Sequence, residues 1–130
     1  MTTWVSTDAA LVFHNEQLAE HGGQSGIRDA NVLESALARP QQLEPYGNPS
    51  PDIAALAAAY AFGLAKNHPF SDGNKRTSLA VTGAFLRLNG YDITADDLEL
   101  VKVWLSLANG SMSESEVAEW LRANIAVVTE

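Results

Sequence analysis

The sequence contains no cysteine among its 130 residues. This absence excludes disulfide-stabilised scaffolds, thiolate zinc sites and cysteine nucleophiles. Long hydrophobic segments are lacking too, since the longest apolar run, from Ile53 to Ala65, is shorter than the ~20 residues that a membrane-spanning helix needs. The chain does not open with a basic, apolar leader and a cleavage site. We therefore expect a cytoplasmic protein in which residues 1–130 form one domain.

Basic residues are scarce: eight Lys and Arg stand against sixteen Asp and Glu, which gives a net charge of −8. Such a chain repels a phosphate backbone, so no direct nucleic-acid binding is expected. Three of the eight bases nevertheless fall within eleven residues around His68, namely Lys66, Lys75 and Arg76. A local cationic spot on an acidic protein suits a small anion, and the alternative is ordinary solvated surface charge.

Apolar residues recur at helical spacing along nearly the whole chain, which indicates an all-α bundle of about six helices. No strand-like alternation of useful length occurs. A first helix is predicted over residues 7–20, and the Gly-Gly pair that follows ends it. A second helix is predicted over residues 29–39, where Pro40 stops it, and residues 40–49 are predicted to form an exposed loop.

Two strongly apolar helices are predicted at the centre of the bundle. The first begins at Ser50-Pro51-Asp52, a capping hydroxyl followed by proline and an acid, and extends to about residue 67. The second covers about residues 74–89. A helix that is apolar on almost every side is usually central in its fold. Capping boxes at Thr94–Asp97 and Ser113–Glu116 predict where the last two helices start.

The turn between the two central helices carries the most informative segment, HPFSDGNKRT, over residues 68–77. His68 ends the first central helix, from where its ring can reach a cleft and exchange a proton near neutral pH. Asp72 offers a hard carboxylate oxygen of the kind that Mg²⁺ accepts. Gly73 and Asn74 allow the backbone N–H groups at the next helix start to converge on an anion.

Lys75 and Arg76 then place two cations in the first turn of the second central helix. The positive end of the helix dipole disfavours a cation by ~0.3–1 kcal/mol, so their position suits a site that a polyanion occupies. The set predicts a nucleoside triphosphate with Mg²⁺ beside a histidine base. Taken singly, these residues also have structural explanations, such as a helix cap or a turn glycine. His14 and His21, seven residues apart, form only a weak pattern for a metal site.

The segment at residues 68–77 resembles the signature of the Fic/Doc superfamily, and most closely that of its Doc branch, the toxin half of toxin–antitoxin pairs. The likeness extends to GGQSGIRD at residues 22–29 and LESALARP at residues 33–40, and covers about residues 4–125. It implies the all-α Fic fold and the transfer of a nucleotide-derived group to a hydroxyl of a target protein.

Carried over by position, the resemblance assigns a role to each residue of the turn. His68 would be the base that takes the proton from the target hydroxyl, and Asp72 would hold Mg²⁺. The phosphates of the nucleotide would be bound by Gly73, Asn74, Lys75 and Arg76. The loop at residues 41–48 would correspond to the flap on which members of the family dock the target.

Two departures from the Fic pattern distinguish the possible reactions. Adenylylating members have glycine at the position of Lys75 and a second arginine at the position of Leu79. The Doc-like replacements imply a reversed nucleotide, with the γ-phosphate of ATP towards His68. The expected reaction is therefore protein phosphorylation that inhibits translation, with elongation factor Tu as the characteristic target. Adenylylation of a protein hydroxyl and an inactive Fic-fold binding module are the alternatives.

The sequence contains no match to S/T-x-x-x-E-G/N, the inhibitory motif that many Fic proteins carry. An active toxin of this kind would have to be restrained by another chain. The resemblance implies a Phd-like antitoxin, a segment of which would fold as a helix into an apolar groove. We expect the protein to expose an apolar patch larger than that of an ordinary monomer.

Overall fold

The computed structural model describes residues 2–46 and 50–128. Within these residues the chain forms six α-helices and one pair of short antiparallel strands, which confirms the predicted all-α bundle. The elements, in chain order, are α1 (Thr7–His21), α2 (Ala30–Tyr46), α3 (Ile53–Asn67), α4 (Asn74–Leu88), β1 (Tyr91–Ile93), α5 (Asp97–Asn109), α6 (Glu114–Ala123) and β2 (Ile125–Val127).

Helix α3 is the centre of the fold and packs against α2, α4, α5 and α6. Ten of its fifteen residues are buried, and six of the ten are alanines, whose small side chains let neighbouring helices approach closely. The approach is close at Gly63, where an added Cβ would lie 3.2 Å from the Cβ of Ala36 in α2. The two helices predicted at the centre are α3 and α4. They pack against each other and flank the motif turn, as predicted.

Both ends of the described chain meet at the C-terminal end of α4. Near the start, the Thr3 N–H donates to Oδ1 of Asn89, at 2.8 Å. Near the end, β2 pairs with β1 and the Val128 N–H donates to the Gly90 carbonyl, at 2.8 Å. The two strands were not predicted, because three residues each are too few for an alternating pattern to be visible.

The predicted stop at Pro40 is wrong, since α2 continues to Tyr46. The predicted loop and flap are therefore helical over residues 40–46, and residues 47–49 lie outside the described part of the chain. A proline inside a helix removes one hydrogen bond and crowds the preceding turn. Here Pro40 is itself buried, on the same face as buried Leu33 and Leu37. Burial of this continuous apolar face offsets the local cost of the proline.

Two of the predicted helix starts are corrected by the capping contacts. Asp52, not Ser50, is the N-cap of α3, and its Oδ1 accepts the Ala55 N–H at 2.9 Å. Asp96 is the N-cap of α5. Thr94 lies two residues before this cap, and its N–H donates to the Asn124 carbonyl next to the strand pair, at 2.7 Å. The predicted capping box at Ser113–Glu116 is confirmed.

Candidate active site

A cleft of about 480 Å³ opens beside the turn between α3 and α4. It brings together all six residues that the sequence marked as site candidates, and α5 contributes one residue to its lining. The lining residues are His68, Ser71, Asp72, Gly73, Asn74, Lys75, Arg76 and Ala108. The imidazole and the carboxylate that the proposed chemistry requires therefore share one space, and packed side chains do not fill it.

His68 is the C-cap of α3 and is exposed at the cleft. Its backbone is left-handed, with φ 49° and ψ 60°, and it is the one non-glycine residue of the described chain with positive φ. Such a conformation is uncommon for a residue with a side chain and persists where surrounding contacts hold it. Pro69 and Phe70 follow it into the core, so the ring stands where the chain turns from α3 towards α4.

The carboxylate of Asp72 is held by two backbone donors. Its Oδ2 accepts the Gln24 N–H at 3.1 Å, and its Oδ1 accepts the N–H of Gly73 at 2.8 Å. These bonds, with that of Gln24 first, hold the pKa of Asp72 below its ordinary value. The group is therefore ionised at neutral pH, which a ligand of a hard cation must be. Asp72 is not the N-cap of α4, because Gly73 occupies that position.

The start of α4 has no side-chain cap and no acidic residue in its first turn. Free first-turn N–H groups of a helix form an anion-binding site together with the helix dipole. Gly73 enters this turn at φ 75°, a conformation that glycine adopts without strain. Exposed Lys75 and half-exposed Arg76 add two positive charges here, and Arg76 also donates to the Gly22 carbonyl at 3.4 Å.

Asn74 lines the cleft, but its side-chain amide is directed to the loop. Its Oδ1 accepts the Phe70 N–H at 2.9 Å, and its Nδ2 donates to the Phe70 carbonyl at 3.0 Å. This pair of bonds closes the loop over residues 70–74 into a fixed turn. The predicted phosphate contact of Asn74 is thus left to its backbone N–H, while its side chain shapes the turn.

A segment that we call the strap, residues 22–29, pairs with the backbone of the motif loop. The Ser71 N–H donates to the Gly26 carbonyl at 3.0 Å, and Ile27 forms an isolated antiparallel bridge with Phe70. Gly23 passes so close that an added Cβ would lie 2.8 Å from Oδ2 of Asp72. From the sequence, the Gly-Gly pair is predicted only to end a helix. Its second function, room for the Asp72 carboxylate, is visible only in the structure.

His14 is a site-supporting residue that the sequence analysis missed. It is 3% exposed, and its ring stacks on Phe70 with a centroid distance of 3.8 Å and an interplanar angle of 8°. Its Nε2 lies 2.9 Å from the Asp72 carbonyl oxygen. Because a carbonyl only accepts, Nε2 carries the proton and donates. His21 is exposed and lies 4.0 Å from Glu20.

A metal centre built only from side chains is not present in the described residues, since no three of their His, Asp and Glu side chains form a cluster. One carboxylate still fits Mg²⁺, because this ion is usually held by one or two carboxylates together with phosphate oxygens. Asp72, ionised and at the edge of the cleft, is a donor of that type.

Known proteins resemble this chain over the residues that form the motif turn. The profile of the Fic/DOC family matches residues 4–86, which include α1, α3, the strap and the motif turn. The chain belongs to the Fic/Doc family. It is 32% identical over 118 residues to Protein kinase doc of Escherichia phage P1, a match that covers 91% of this chain and 92% of the relative. It is 41% identical over 75 residues to Toxin Doc of Mycolicibacterium smegmatis, with 58% of each chain covered.

The Fic fold predicted from the resemblance is thereby confirmed. Among the helices of the described residues, none has the length and apolar character needed to cross a bilayer.

Proposed function

We propose that this Fic/Doc protein is a Doc-type toxin that transfers the γ-phosphate of ATP to a hydroxyl of a target protein. One observation carries the proposal: His68 and Asp72 line the same cleft as the uncapped, cationic start of α4. A base, a metal ligand and a phosphate site are then within one space of about 480 Å³. Phosphoryl transfer depends mainly on such positioning and on charge neutralisation.

In the proposed reaction, the imidazole of His68 takes the proton of the target hydroxyl. The hydroxyl oxygen forms a bond to the γ-phosphorus, the bond from that phosphorus to the β–γ bridging oxygen breaks, and ADP leaves. The backbone N–H group of Asn74, with the side chains of Lys75 and Arg76, binds and orients the phosphates, and Gly73, whose own N–H is bonded to Asp72, gives the turn beside them its left-handed backbone. Asp72 would hold Mg²⁺, which neutralises phosphate charge when bound.

Phosphorylation is favoured over adenylylation by the residues along α4. Lys75 is exposed at the cleft, so the position is occupied by a cation and not by the space that glycine leaves. Leu79, one turn further on, packs against the hydrophobic core and supplies no second guanidinium. The phage relative is named as a protein kinase, which agrees with this choice.

The partners follow from the same assignment. The relative named as a toxin supports a toxin–antitoxin system. We expect a Phd-like antitoxin to restrain the protein, and we expect both to act in the cytoplasm. Leu98, Val101 and Leu105 of α5 are 65%, 63% and 50% exposed. They recur at i, i+3 and i+7, so they form one apolar stripe of the kind that an amphipathic helix covers. Elongation factor Tu is the first target to test, and its phosphorylation would inhibit translation.

The test uses ATP labelled separately at the α- and γ-phosphates, incubated with Mg²⁺, the protein and cell extract. Label from the γ-position alone is expected on a protein of the extract, and label from the α-position would establish adenylylation instead. No transfer of either label would leave a non-catalytic binding module. His68→Ala is expected to lower the transfer rate by about 10²–10⁴-fold, since it removes the base. His21→Ala, an exposed histidine of α1 outside the cleft lining, is the matched control.

A further inference from the structure

The C-terminal end of α3, where His68 lies, is hydrogen-bonded by one side chain of the strap. The guanidinium of Arg28 donates from Nε to the His68 carbonyl at 2.6 Å and from Nη2 to the Asn67 carbonyl at 2.9 Å. The backbone N–H of Arg28 also donates to the Pro69 carbonyl, at 2.8 Å. One residue thus holds three consecutive carbonyls on both sides of His68.

Two of these carbonyls, those of Asn67 and His68, are groups that a helix end leaves unsatisfied. The last carbonyls of an α-helix lack intrahelical partners and carry the negative end of the helix dipole. A charged guanidinium is a strong donor to them, and its planar geometry fixes two acceptors at once. Because the two acceptors are successive peptide groups, the contact fixes the direction in which the Cα–Cβ bond of His68 points.

The backbone of His68 needs such a restraint. Its left-handed conformation is unfavourable for a residue with a side chain, and a neighbouring contact has to maintain it. Arg28 itself does not line the cleft, and the proposed phosphate contacts are made from α4. Its effect on the reaction would therefore pass through the position of the imidazole and not through the nucleotide.

We propose that Arg28 is the positioning residue for the base: its two-donor contact with the Asn67 and His68 carbonyls directs the His68 imidazole into the cleft. This inference rests on the proposed function in one respect, namely that His68 is the base. It adds a residue from the strap to the working parts of the site. It also assigns the strap a purpose beyond packing, because the same segment holds Asp72 through Gln24.

Arg28→Lys is the test variant, since it retains the charge and the stem but cannot offer two donors in a fixed plane. Arg39→Lys is the matched control. Arg39 makes an equivalent two-donor contact, with the two carboxylate oxygens of Glu114 at 2.9 and 2.8 Å, and neither residue lines the cleft. A loss caused only by weakening a surface guanidinium contact would be the same in both variants.

The first readout is the rate of γ-label transfer into a fixed amount of cell extract across a series of Mg·ATP concentrations. In Arg28→Lys the maximal rate is expected to fall at least about tenfold, because small displacements of a reacting group cost up to ~10²-fold in rate. The KM for Mg·ATP is expected to stay within about twofold, because binding of ATP uses α4. Arg39→Lys is expected to change neither quantity.

The second readout needs no activity. The chain has three histidines, so their ring signals are separable by NMR after ¹⁵N-histidine labelling. In Arg28→Lys the His68 signals are expected to shift or broaden, while the signals of His14 and His21 remain as in the wild type. Arg28→Met, which keeps the apolar stem and removes all donors, is expected to give the same pattern more strongly.

Unchanged His68 signals together with an unchanged maximal rate would overturn the inference. So would a joint change of the His14 and His68 signals with a raised KM, because that pattern means general loosening of the loop. If the wild type transfers no label at all, the proposed function fails, and the NMR comparison still decides whether Arg28 orients His68.

Discussion

The imidazole of His14 joins α1 to the loop that carries Asp72, 58 residues further along the chain. It supplies one hydrogen bond to the backbone of that loop and a stacked contact with Phe70 beneath it. The stacked pair is buried, and the hydrogen bond is partly buried, so competition with water weakens them less than it would at an exposed site. His14 therefore stabilises the loop from a position that is not part of the cleft lining.

Substitution of His14 tests this contribution. His14→Asn is expected to lower the free energy of unfolding by about 0.5–1.5 kcal/mol, because the shorter amide leaves the Asp72 carbonyl without its donor at a partly buried position. His14→Gln is expected to lose less, since its amide nitrogen reaches about as far as Nε2 of histidine. Urea denaturation followed by circular dichroism measures both values. Equal losses in the two variants would show that the hydrogen bond from Nε2 contributes nothing.

The sequence was sufficient to predict those site residues that lie close together along the chain. The six candidates lie within residues 68–76, and the structure places them on one cleft. It was insufficient where contacts come from distant residues. Gln24 and Arg28 lie 48 and 40 residues from the groups that they bind, and no periodicity or spacing links positions so far apart. Such pairings depend on how the helices pack.

Helix α3 packs closely against α2 at Gly63, where a side chain would leave too little room. Alanine substitutions at Gly63 and at Gly83, a glycine with open space around it, measure how tight this contact is. Gly83 in α4 has open space where a Cβ would be, so Gly83→Ala is expected to raise the free energy of unfolding by about 0.5–1 kcal/mol through helix propensity. Gly63→Ala is expected to gain less or to lose stability, because its Cβ would lie 3.2 Å from that of Ala36. Thermal and urea unfolding of the two variants gives the difference, and equal gains would contradict a tight α2–α3 contact.

Helix types and most helix positions could be predicted, whereas the exact ends could not. The rule that proline ends a helix failed at Pro40, because that residue is buried on the same face as Leu33 and Leu37. Local propensity is a weak term, and burial of a continuous apolar face outweighs it. The strands β1 and β2 were not predicted because each has only three residues, too few to show a pattern. They are defined by their pairing with each other, between residues 32 to 36 positions apart in the sequence.

At the scale of the molecule, charge is distributed as an acidic body with a cationic cleft. The net charge of −8 is predicted to prevent retention on heparin at about 0.1 M salt, where electrostatic interactions extend ~10 Å. Mg·ATP, a compact anion, is still expected to bind at the start of α4 and to raise the melting temperature. Heparin chromatography, with a basic protein of similar size as the control, measures the retention. Thermal unfolding with and without Mg·ATP measures the change in melting temperature. Retention on heparin well above that salt concentration would contradict the assignment of a small-anion site.

The meeting of Thr3 and Val128 at Asn89 and Gly90 has a practical consequence for work with this protein. Helix α4 has fifteen residues, so this corner lies about 22 Å along the helix from the cleft at its other end. The two ends of the described chain therefore lie together and away from the cleft, so a purification tag, a fluorescent label or a fused partner added beyond either of them is expected to leave the cleft open. Two such additions, one at each end, can therefore be combined on one chain while the nucleotide and the target retain free access to the cleft.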